Sequence, residues 1–253
     1  MRSEQELVAL AHASFCACFQ KLAEHSPDGA IHESDGVFAF ATGIRFSLFN
    51  GCIVTEQVAT RKVDDALEWV EERGSPYRLW IVDELVAGFG DAPAQHGLEL
   101  QPDPYPGMVL HPVPEAPPPA AGVEIEEAAP ETARQVAVES GMPHAIAEQL
   151  YARSFADDPD VQLFAGRLEG RPVGTSVSIQ GGGASGVVAV GTLPNARRRG
   201  VGTAVSWAAV DAGRRRGLDT VVLQASPMGL PVYEAMGFRT VVTYADFAAT
   251  HPA

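Results

Sequence analysis

The chain has 253 residues, of which 46% are hydrophobic and 20% charged; its 18 Lys and Arg are outnumbered by 32 Asp and Glu, giving a formal net charge of −14. This composition is typical of a globular protein long enough for two modest domains. Because so acidic a surface repels a polyanion, the charge balance speaks against nucleic acid as a partner. The exception is local, since basic residues form two triplets at residues 197–199 and 214–216.

The cysteines and the beginning of the sequence predict a cytoplasmic protein. Cys16, Cys18 and Cys52 are an odd number and lack the paired spacing of a disulfide framework or a zinc site. We therefore expect buried thiols in a reducing compartment, and no metal. The first residues lack the pattern of a secretory signal, and no apolar run reaches the roughly 18 to 20 residues that a membrane-spanning helix needs. No membrane partner is expected.

The first half of the chain mixes helical and strand-like patterns, which indicates an α/β unit. Glycine and proline at residues 74 and 76 end the second helical pattern. The predicted helices span residues 4–23 and 64–73, and the predicted strands span residues 37–42, 45–54, 77–82 and 106–111.

A proline-rich segment divides the chain. Prolines at positions 112, 114, 117, 118 and 119 remove backbone donors and favour extended polyproline geometry. We interpret residues 112–121 as a linker between an amino-terminal α/β domain, residues 1–111, and a carboxy-terminal domain, residues 122–253.

After the linker, the patterns predict a strand, two helices, a three-stranded antiparallel meander, and then helix, strand, helix and strand. Gly217, following an arginine triplet, ends the third helix of this series. The predicted strands span residues 123–126, 161–168, 172–180, 187–193, 220–225 and 238–244, and the predicted helices span residues 130–140, 145–155, 201–216 and 229–236.

The turn into the helix at residue 201 is the most informative segment of the sequence. It reads Arg197, Arg198, Arg199, Gly200, Val201, Gly202, Thr203. A helix N-terminus has unpaired N–H groups and partial positive charge, glycines let an anion approach the backbone, and arginines bind phosphate. Val205 replaces the third glycine of a dinucleotide fingerprint, and a P-loop would need lysine before serine or threonine. From these residues alone, an ordinary solvated loop remains an alternative to an anion site.

In its context this segment resembles the pyrophosphate-binding motif of the GNAT acyltransferases, with Arg197 beginning the family's Arg-x-x-Gly-x-Gly signature. Residues 226–238 resemble the family's second motif, in which a tyrosine precedes a Leu- or Met-Gly-Phe turn into a strand. The resemblance covers roughly residues 123–244, including the order of elements. It implies a mixed, mostly antiparallel, splayed sheet flanked by helices.

The resemblance also implies roles for individual residues. The pantetheine arm of acetyl-CoA would lie between two parting strands, at residues 187–193 and 220–225. Tyr233 matches the residue that often protonates the departing thiolate, although a tyrosine there can simply pack in the core. The residues implied in cofactor binding are Val190, Gly191 and Thr192 for pantetheine, Arg197, Arg198, Arg199, Gly200, Val201, Gly202 and Thr203 for the diphosphate, and Ser226.

The implied activity is an acetyl-CoA-dependent N-acetyltransferase that acts by direct attack of a primary amine, on a small molecule or a protein. The acidity of the chain leans slightly toward a cationic acceptor. A homodimer is one option for its assembly. The sequence identifies no general base, because residues 186–193 contain no ionisable side chain. Ionisable residues of the predicted helical region that could act through water, none of which is assigned as catalytic, are Glu139, His144, Glu148, Asp157 and Asp158.

Two alternatives accompany this interpretation. Residues 45–110 repeat the order strand, helix, strand, short helix, strand, which suggests a degenerate, non-catalytic copy of the same fold; an unrelated small α/β domain explains the pattern nearly as well. The absence of an ionisable residue on the strand before the arginine loop also fits a non-catalytic acyl-CoA-binding sensor or assembly protein.

Overall fold

The computed structural model describes residues 2–249. The helices are α1 (Glu4–Glu24), α2 (Thr60–Glu71), α3 (Ala92–Gln95), α4 (Pro130–Glu139), α5 (His144–Leu150), α6 (Arg153–Ala156), α7 (Val201–Arg215) and α8 (Leu230–Ala235). The strands are β1 (Ala30–Ser34), β2 (Val37–Ala41), β3 (Asn50–Val54), β4 (Arg78–Val82), β5 (Leu98–Leu100), β6 (Tyr105–Leu110), β7 (Val123–Glu127), β8 (Val161–Leu168), β9 (Arg171–Gly181), β10 (Ala184–Thr192), β11 (Val221–Gln224) and β12 (Arg239–Ala249).

All of these strands join one sheet in the order β1-β2-β3-β4-β12-β6-β11-β10-β9-β8-β7, with β5 beside β12. Within residues 2–249, β3 with β4 and β10 with β11 are the parallel pairs, and the other pairs are antiparallel. Helices flank both faces. The predicted fold class, a mixed and mostly antiparallel sheet between helices, is confirmed.

The two halves of the chain have the same strand order. Each has three antiparallel strands in sequence (β1-β2-β3 and β8-β9-β10), a helix (α2 and α7), and a parallel strand (β4 and β11). The next long strand of each half pairs with the other half. Strand β6 of the first half lies against β11, and strand β12 of the second half lies against β4. The domain limits predicted at residues 111 and 122 stay a prediction, since each half completes its sheet with a strand from the other.

Helix α1 packs across the sheet of both halves. Its Ser3 hydroxyl and Glu6 carboxylate form a capping box, which fixes the start of the helix. Phe15 on this helix packs against Trp80 of the first half, with ring centroids 5.7 Å apart. Against the second half the backbone approaches closely, since a Cβ atom on Gly186 of β10 would lie 2.4 Å from Cys18 Sγ. Glycine on the strand is therefore needed for the helix to cover both halves.

Several predicted elements have different bounds. The strand predicted at residues 45–54 begins only at Asn50, whose buried side chain bonds the backbone of Thr42, Ile44 and Pro76 and so holds the preceding turn. The helix predicted at residues 145–155 is two short helices, α5 and α6. The last strand runs to Ala249 instead of residue 244, because its second part extends the sheet of the first half.

The proline-rich segment is an irregular strap without helix or strand at residues 111–121. It lies against α7, since a Cβ atom on Gly200 would be 2.6 Å from the Ala120 Cβ. Among the described residues, helices that combine the length and apolar character of a membrane span are absent.

Candidate active site

Strands β10 and β11 part from each other, as the resemblance implies. They are paired only at Ser185 with Val221 and at Gly186 with Val222. Beyond this point β10 continues alongside β9 and carries a bulge between Val188 and Gly191, where Ala189 has a φ of 50°. The edge of β10 that faces β11 is thus left open over residues 187–192, and its backbone groups are available to a ligand.

The predicted anion loop forms a turn with backbone amides on one side. Arg198 and Gly200 have left-handed φ angles of 60° and 79°, and alternation of this kind brings successive N–H groups together. The Ala204 N–H donates a helical hydrogen bond to the Gly200 carbonyl. The N–H groups of residues 201–203 belong to the first turn of α7, the part of a helix that lacks intrahelical acceptors. An anion at this turn would also gain from the helix dipole.

Gly202 and Thr192 bring the loop and the open strand together. A Cβ atom on Gly202 would lie 3.2 Å from Thr192 Oγ1, and the Arg197 Nε donates to the Thr192 carbonyl at 3.4 Å. The residues predicted for the diphosphate and for the pantetheine arm are therefore neighbours in space. Their binding of acetyl-CoA stays a prediction.

The two arginine triplets have different surroundings. Arg197, Arg198 and Arg199 are exposed, and Arg199 lies 3.7 Å from the Glu169 carboxylate. In the second triplet, Arg214 and Arg215 both pair with Asp211 on α7, and Arg216 pairs with Asp160. The second triplet is largely neutralised by carboxylates of the chain, so the positive field at α7 is concentrated at its N-terminus.

Ser226 lies two residues after the end of β11 and is exposed. Its hydroxyl accepts a hydrogen bond from the Gly229 N–H at 3.2 Å, and its carbonyl accepts from the N–H groups of Gly229 and Leu230. The structure thus gives Ser226 a role in the turn into α8, and its predicted contact with the cofactor stays a prediction.

Tyr233 on α8 is 8% exposed and packs among residues of both parting strands, Val187 and Leu223. Its ring lies edge-on to Phe238, with centroids 5.8 Å apart. Burial raises the pKa of the phenol, an effect that the nearby Ser206 hydroxyl partly offsets although it lies short of full hydrogen-bond geometry. The phenol is therefore protonated at neutral pH and could donate a proton. The same packing is expected if Tyr233 serves only to fill the core and donates no proton.

A cavity of about 510 Å³ adjoins the open edge of β10 and is lined by residues of both halves of the chain. Its lining is predominantly apolar and aromatic. From the second half come α4, α5, the segment between them, and strands β9, β10 and β11. From the first half come residues that sequence reasoning missed, Phe15, Cys18, Phe19, Leu22, Phe46, Leu48, Phe49 and Tyr105.

The ionisable side chains in this lining, as far as residues 2–249 show, are Cys18, Tyr105 and Tyr151. Burial raises the pKa of Cys18 and of Tyr151 to about 12 in each case, and raises that of Tyr105. All three therefore keep their protons at neutral pH. Gln224 contributes an amide whose Nε2 atom has no hydrogen-bond partner among the described residues.

The acidic and histidine residues considered as bases lie outside this lining. Asp158 is held by Lys21 at 3.0 Å and by His25 at 2.7 Å, and these contacts lower its pKa to about 2 although burial opposes them. The remaining pairs are Glu139 with Arg171, His144 with Glu148, and Asp157 with Arg153. None of the five is positioned to take a proton from an amine in the cavity.

The chain resembles several solved structures along most of its length. A GCN5-related N-acetyltransferase from Kribbella flavida has a TM-score of 0.68 at 20% identity, covering 97% of this chain and 96% of that one. A GCN5-related N-acetyltransferase from Sphaerobacter thermophilus has a TM-score of 0.59 at 15% identity, covering 97% and 93%. A tandem GNAT protein from the clavulanic acid biosynthesis pathway has a TM-score of 0.56 at 17% identity, covering 88% and 84%. At these identities the likeness shows the fold.

No curated protein matches the sequence. Residues 126–238 match the family described as Acetyltransferase (GNAT) family, and this range contains the open strand β10, the arginine loop and Tyr233. The family supports an acyl-CoA N-acetyltransferase activity in general terms. The carboxy-terminal half of this chain therefore contains a domain that matches the GNAT acetyltransferase family over residues 126–238, and the amino-terminal half repeats the strand order of the same fold.

Proposed function

We propose that the protein is an acetyl-CoA-dependent N-acetyltransferase that transfers the acetyl group to a primary amine by direct attack in a ternary complex. The observation that carries the proposal is the parting of β10 from β11 beside the amide-rich turn at the start of α7. A slot for an extended arm thus ends at a site for a doubly charged phosphate linkage.

The residues around the slot fit acetyl-CoA. The open backbone of Val190, Gly191 and Thr192 would pair with the amide groups of the pantetheine arm. The amides of residues 200–203, with the exposed guanidinium groups of residues 197–199, would hold the diphosphate. Acetyl-CoA supplies an activated acyl group with a thiolate as its leaving group.

The chain would contribute orientation and proton transfer. The apolar cavity would position the amine against the open edge of β10. A backbone N–H of that edge would stabilise negative charge on the acyl oxygen. Tyr233 holds a proton on its buried phenol oxygen, which it would donate to the departing sulfur.

The first half would shape the acceptor side without binding a cofactor of its own. Strands β3 and β4 stay paired from Gly51 with Arg78 to Val54 with Ile81, so the corresponding slot is closed. The loop that follows reads Thr55, Glu56, Gln57 and has no arginine or glycine. We therefore propose that one CoA binds per chain.

Replacing Gly202 tests the proposal. In Gly202→Glu the carboxylate would lie in the first turn of α7, where a negative charge favours the helix but repels a phosphate. Gly202→Ala is the matched control, because it introduces the same Cβ atom, 3.2 Å from Thr192 Oγ1, without the charge. We expect calorimetric binding of CoA to be lost in the Glu variant and largely kept in the Ala variant. Unchanged affinity in both variants would refute the assigned loop.

A non-catalytic acyl-CoA sensor is the second candidate, and the cavity lining without a base favours it. Thiol release from acetyl-CoA in the presence of a panel of amines separates the two functions. An enzyme releases CoA only when an acceptor is added, whereas a sensor binds acetyl-CoA tightly and releases no thiol with any amine.

A further inference from the structure

The cavity beside β10 lacks the charges that a cationic acceptor would need. Its lining contains no carboxylate, histidine, lysine or arginine within the described residues, and the first half contributes the aromatic side chains of Phe15, Phe19, Phe46 and Phe49 to it. The negative charge of the chain therefore lies elsewhere. Transfer of an ammonium ion from water into such surroundings is strongly unfavourable unless the charge is paired.

Two groups of charged residues outside this lining form ion pairs among themselves. Asp246 bonds Arg78 through its Oδ2 atom, while its buried Oδ1 atom has no hydrogen-bond partner among the described residues. At the end of α1, Asp158 is shared by Lys21 and His25. An alkyl amine has a pKa of about 10.4, like the lysine side chain, and is almost entirely an ammonium ion at neutral pH. Before it reacts it must lose a proton, either to a base in the site or to bulk water before it enters. Because the lining offers only protonated thiol and phenol groups, we expect only the small neutral fraction in solution to react.

The balance of protons shows why a neutral amine avoids this difficulty. As the N–C bond forms and the C–S bond breaks, the nitrogen of a neutral primary amine loses one proton and the sulfur gains one. Tyr233 can give its proton to the sulfur and recover one from the nitrogen through water, so no base is consumed. An ammonium ion carries one proton more, and a separate acceptor must remove it.

We propose that the acceptor is an apolar amine that is already neutral at physiological pH, an aryl amine, whose hydrocarbon body is held by the aromatic side chains of the first half. This inference rests on the proposed transferase function and specifies its substrate class. The cavity is of ordinary ligand-site size at about 510 Å³. Because residues 187–191 also line it, the end of the pantetheine arm shares this space, which leaves room for a small aromatic acceptor. The slight preference for a cationic acceptor drawn from net charge thus has no support in the lining.

Two isomers test the proposal on the unmodified protein. 4-Butylaniline and 4-phenylbutylamine have the same formula and differ in whether the nitrogen is neutral at pH 7. We expect 4-butylaniline to be acetylated with a kcat/KM that is flat from pH 6 to 9. For 4-phenylbutylamine, kcat/KM should be lower at pH 7 and rise about tenfold per pH unit with its neutral fraction. Spermidine, a polycation, should not be acetylated.

A variant pair checks which surface holds the acceptor. Phe19 lines the cavity, whereas Phe38 lies in the neighbouring core and outside the lining. Phe19→Ala should raise KM for 4-butylaniline and leave CoA affinity unchanged, while Phe38→Ala should change neither. If either variant fails to fold, the comparison of isomers in the wild-type protein still decides.

Calorimetric binding of CoA, measured in parallel, separates failure of the inference from failure of the function. If CoA does not bind, the proposed function is wrong. If CoA binds and spermidine is acetylated, or 4-phenylbutylamine equals its isomer at pH 7, the substrate class is wrong and the transferase function stands. If CoA binds and neither aromatic amine is acetylated, the inference is likewise overturned.

Discussion

We predict that the free energy of unfolding depends on pH through His12, a partly buried histidine that connects the first helix to the last strand. His12 on α1 faces Tyr244 on β12, with its Nδ1 atom 2.7 Å from the tyrosine hydroxyl. Burial lowers the pKa of His12 to about 4, against a small opposing effect of the Glu84 carboxylate. The neutral imidazole can then accept a hydrogen bond from the tyrosine, which a protonated ring could not do.

The sign of the effect follows from the two pKa values. In the unfolded chain His12 has its ordinary pKa of 6.5, and in the folded chain about 4, so the unfolded state binds the proton more tightly. The contribution of His12 to the free energy of unfolding is fully present above pH 6.5 and is lost as the pH falls from there to about 4. At about 1.36 kcal/mol per pKa unit, the free energy of unfolding should fall by up to about 3 kcal/mol over this range.

Urea unfolding at pH 7 and pH 4.5 measures this loss. The matched variant is His12→Gln, which keeps an acceptor for the Tyr244 hydroxyl and removes the titrating group. We expect the wild-type protein to lose about 2 kcal/mol more than the variant between the two pH values. The contribution of Asp158, whose pKa is lowered to about 2, is lost only at lower pH. Equal losses in both proteins would show that His12 is not the titrating group.

Two further predictions concern the site. Replacing Arg197 and Arg198 by alanine should weaken CoA binding about 30-fold, since each exposed phosphate contact contributes roughly 1 kcal/mol. The same change at Arg214 and Arg215, about 20 Å away at the other end of α7, is the control and should leave CoA affinity within about twofold. Equal losses of affinity in both variants would contradict the assigned site. Tyr233→Phe should lower kcat about 100-fold with unchanged CoA affinity, and identical kinetics across pH would leave the tyrosine a packing role.

The sequence predicted well those features that depend on local pattern. Apolar spacing, together with the arginines and Gly217 at its end, predicts the helix at residues 201–215. Its N-cap residue, Gly200, adopts the left-handed conformation that glycine favours. The meander and the arginine loop were found in the same way. Strand β1 was missed, because its alternating exposure places few apolar residues in a row, and α5 and α6 were merged since nothing in the sequence marks the break at Tyr151 and Ala152.

The composition of the cavity could not be predicted, because it depends on contacts between distant residues. Phe15 and Phe19 read as the buried face of an ordinary helix, and Phe46 and Phe49 as part of a strand. The first-half side of the cavity depends on α1 lying across β9 and β10 of the second half. This close approach is made at glycines within residues 181–186, a stretch whose sequence is typical of a loop. The pairing of Asp158 with Lys21 and His25 likewise depends on this placement of α1.

Strands β6 and β12 each pair with the opposite half of the chain, and this exchange makes the stability of the two halves interdependent. When two identical subunits exchange a terminal strand, neither is complete alone, and the dimer becomes their stable form. Here the same exchange occurs inside a single polypeptide. A protease cut in the proline strap should therefore leave two fragments that elute as one particle. A destabilising substitution in either half of the sheet should lower the melting temperature of the whole molecule, which should still unfold in one transition.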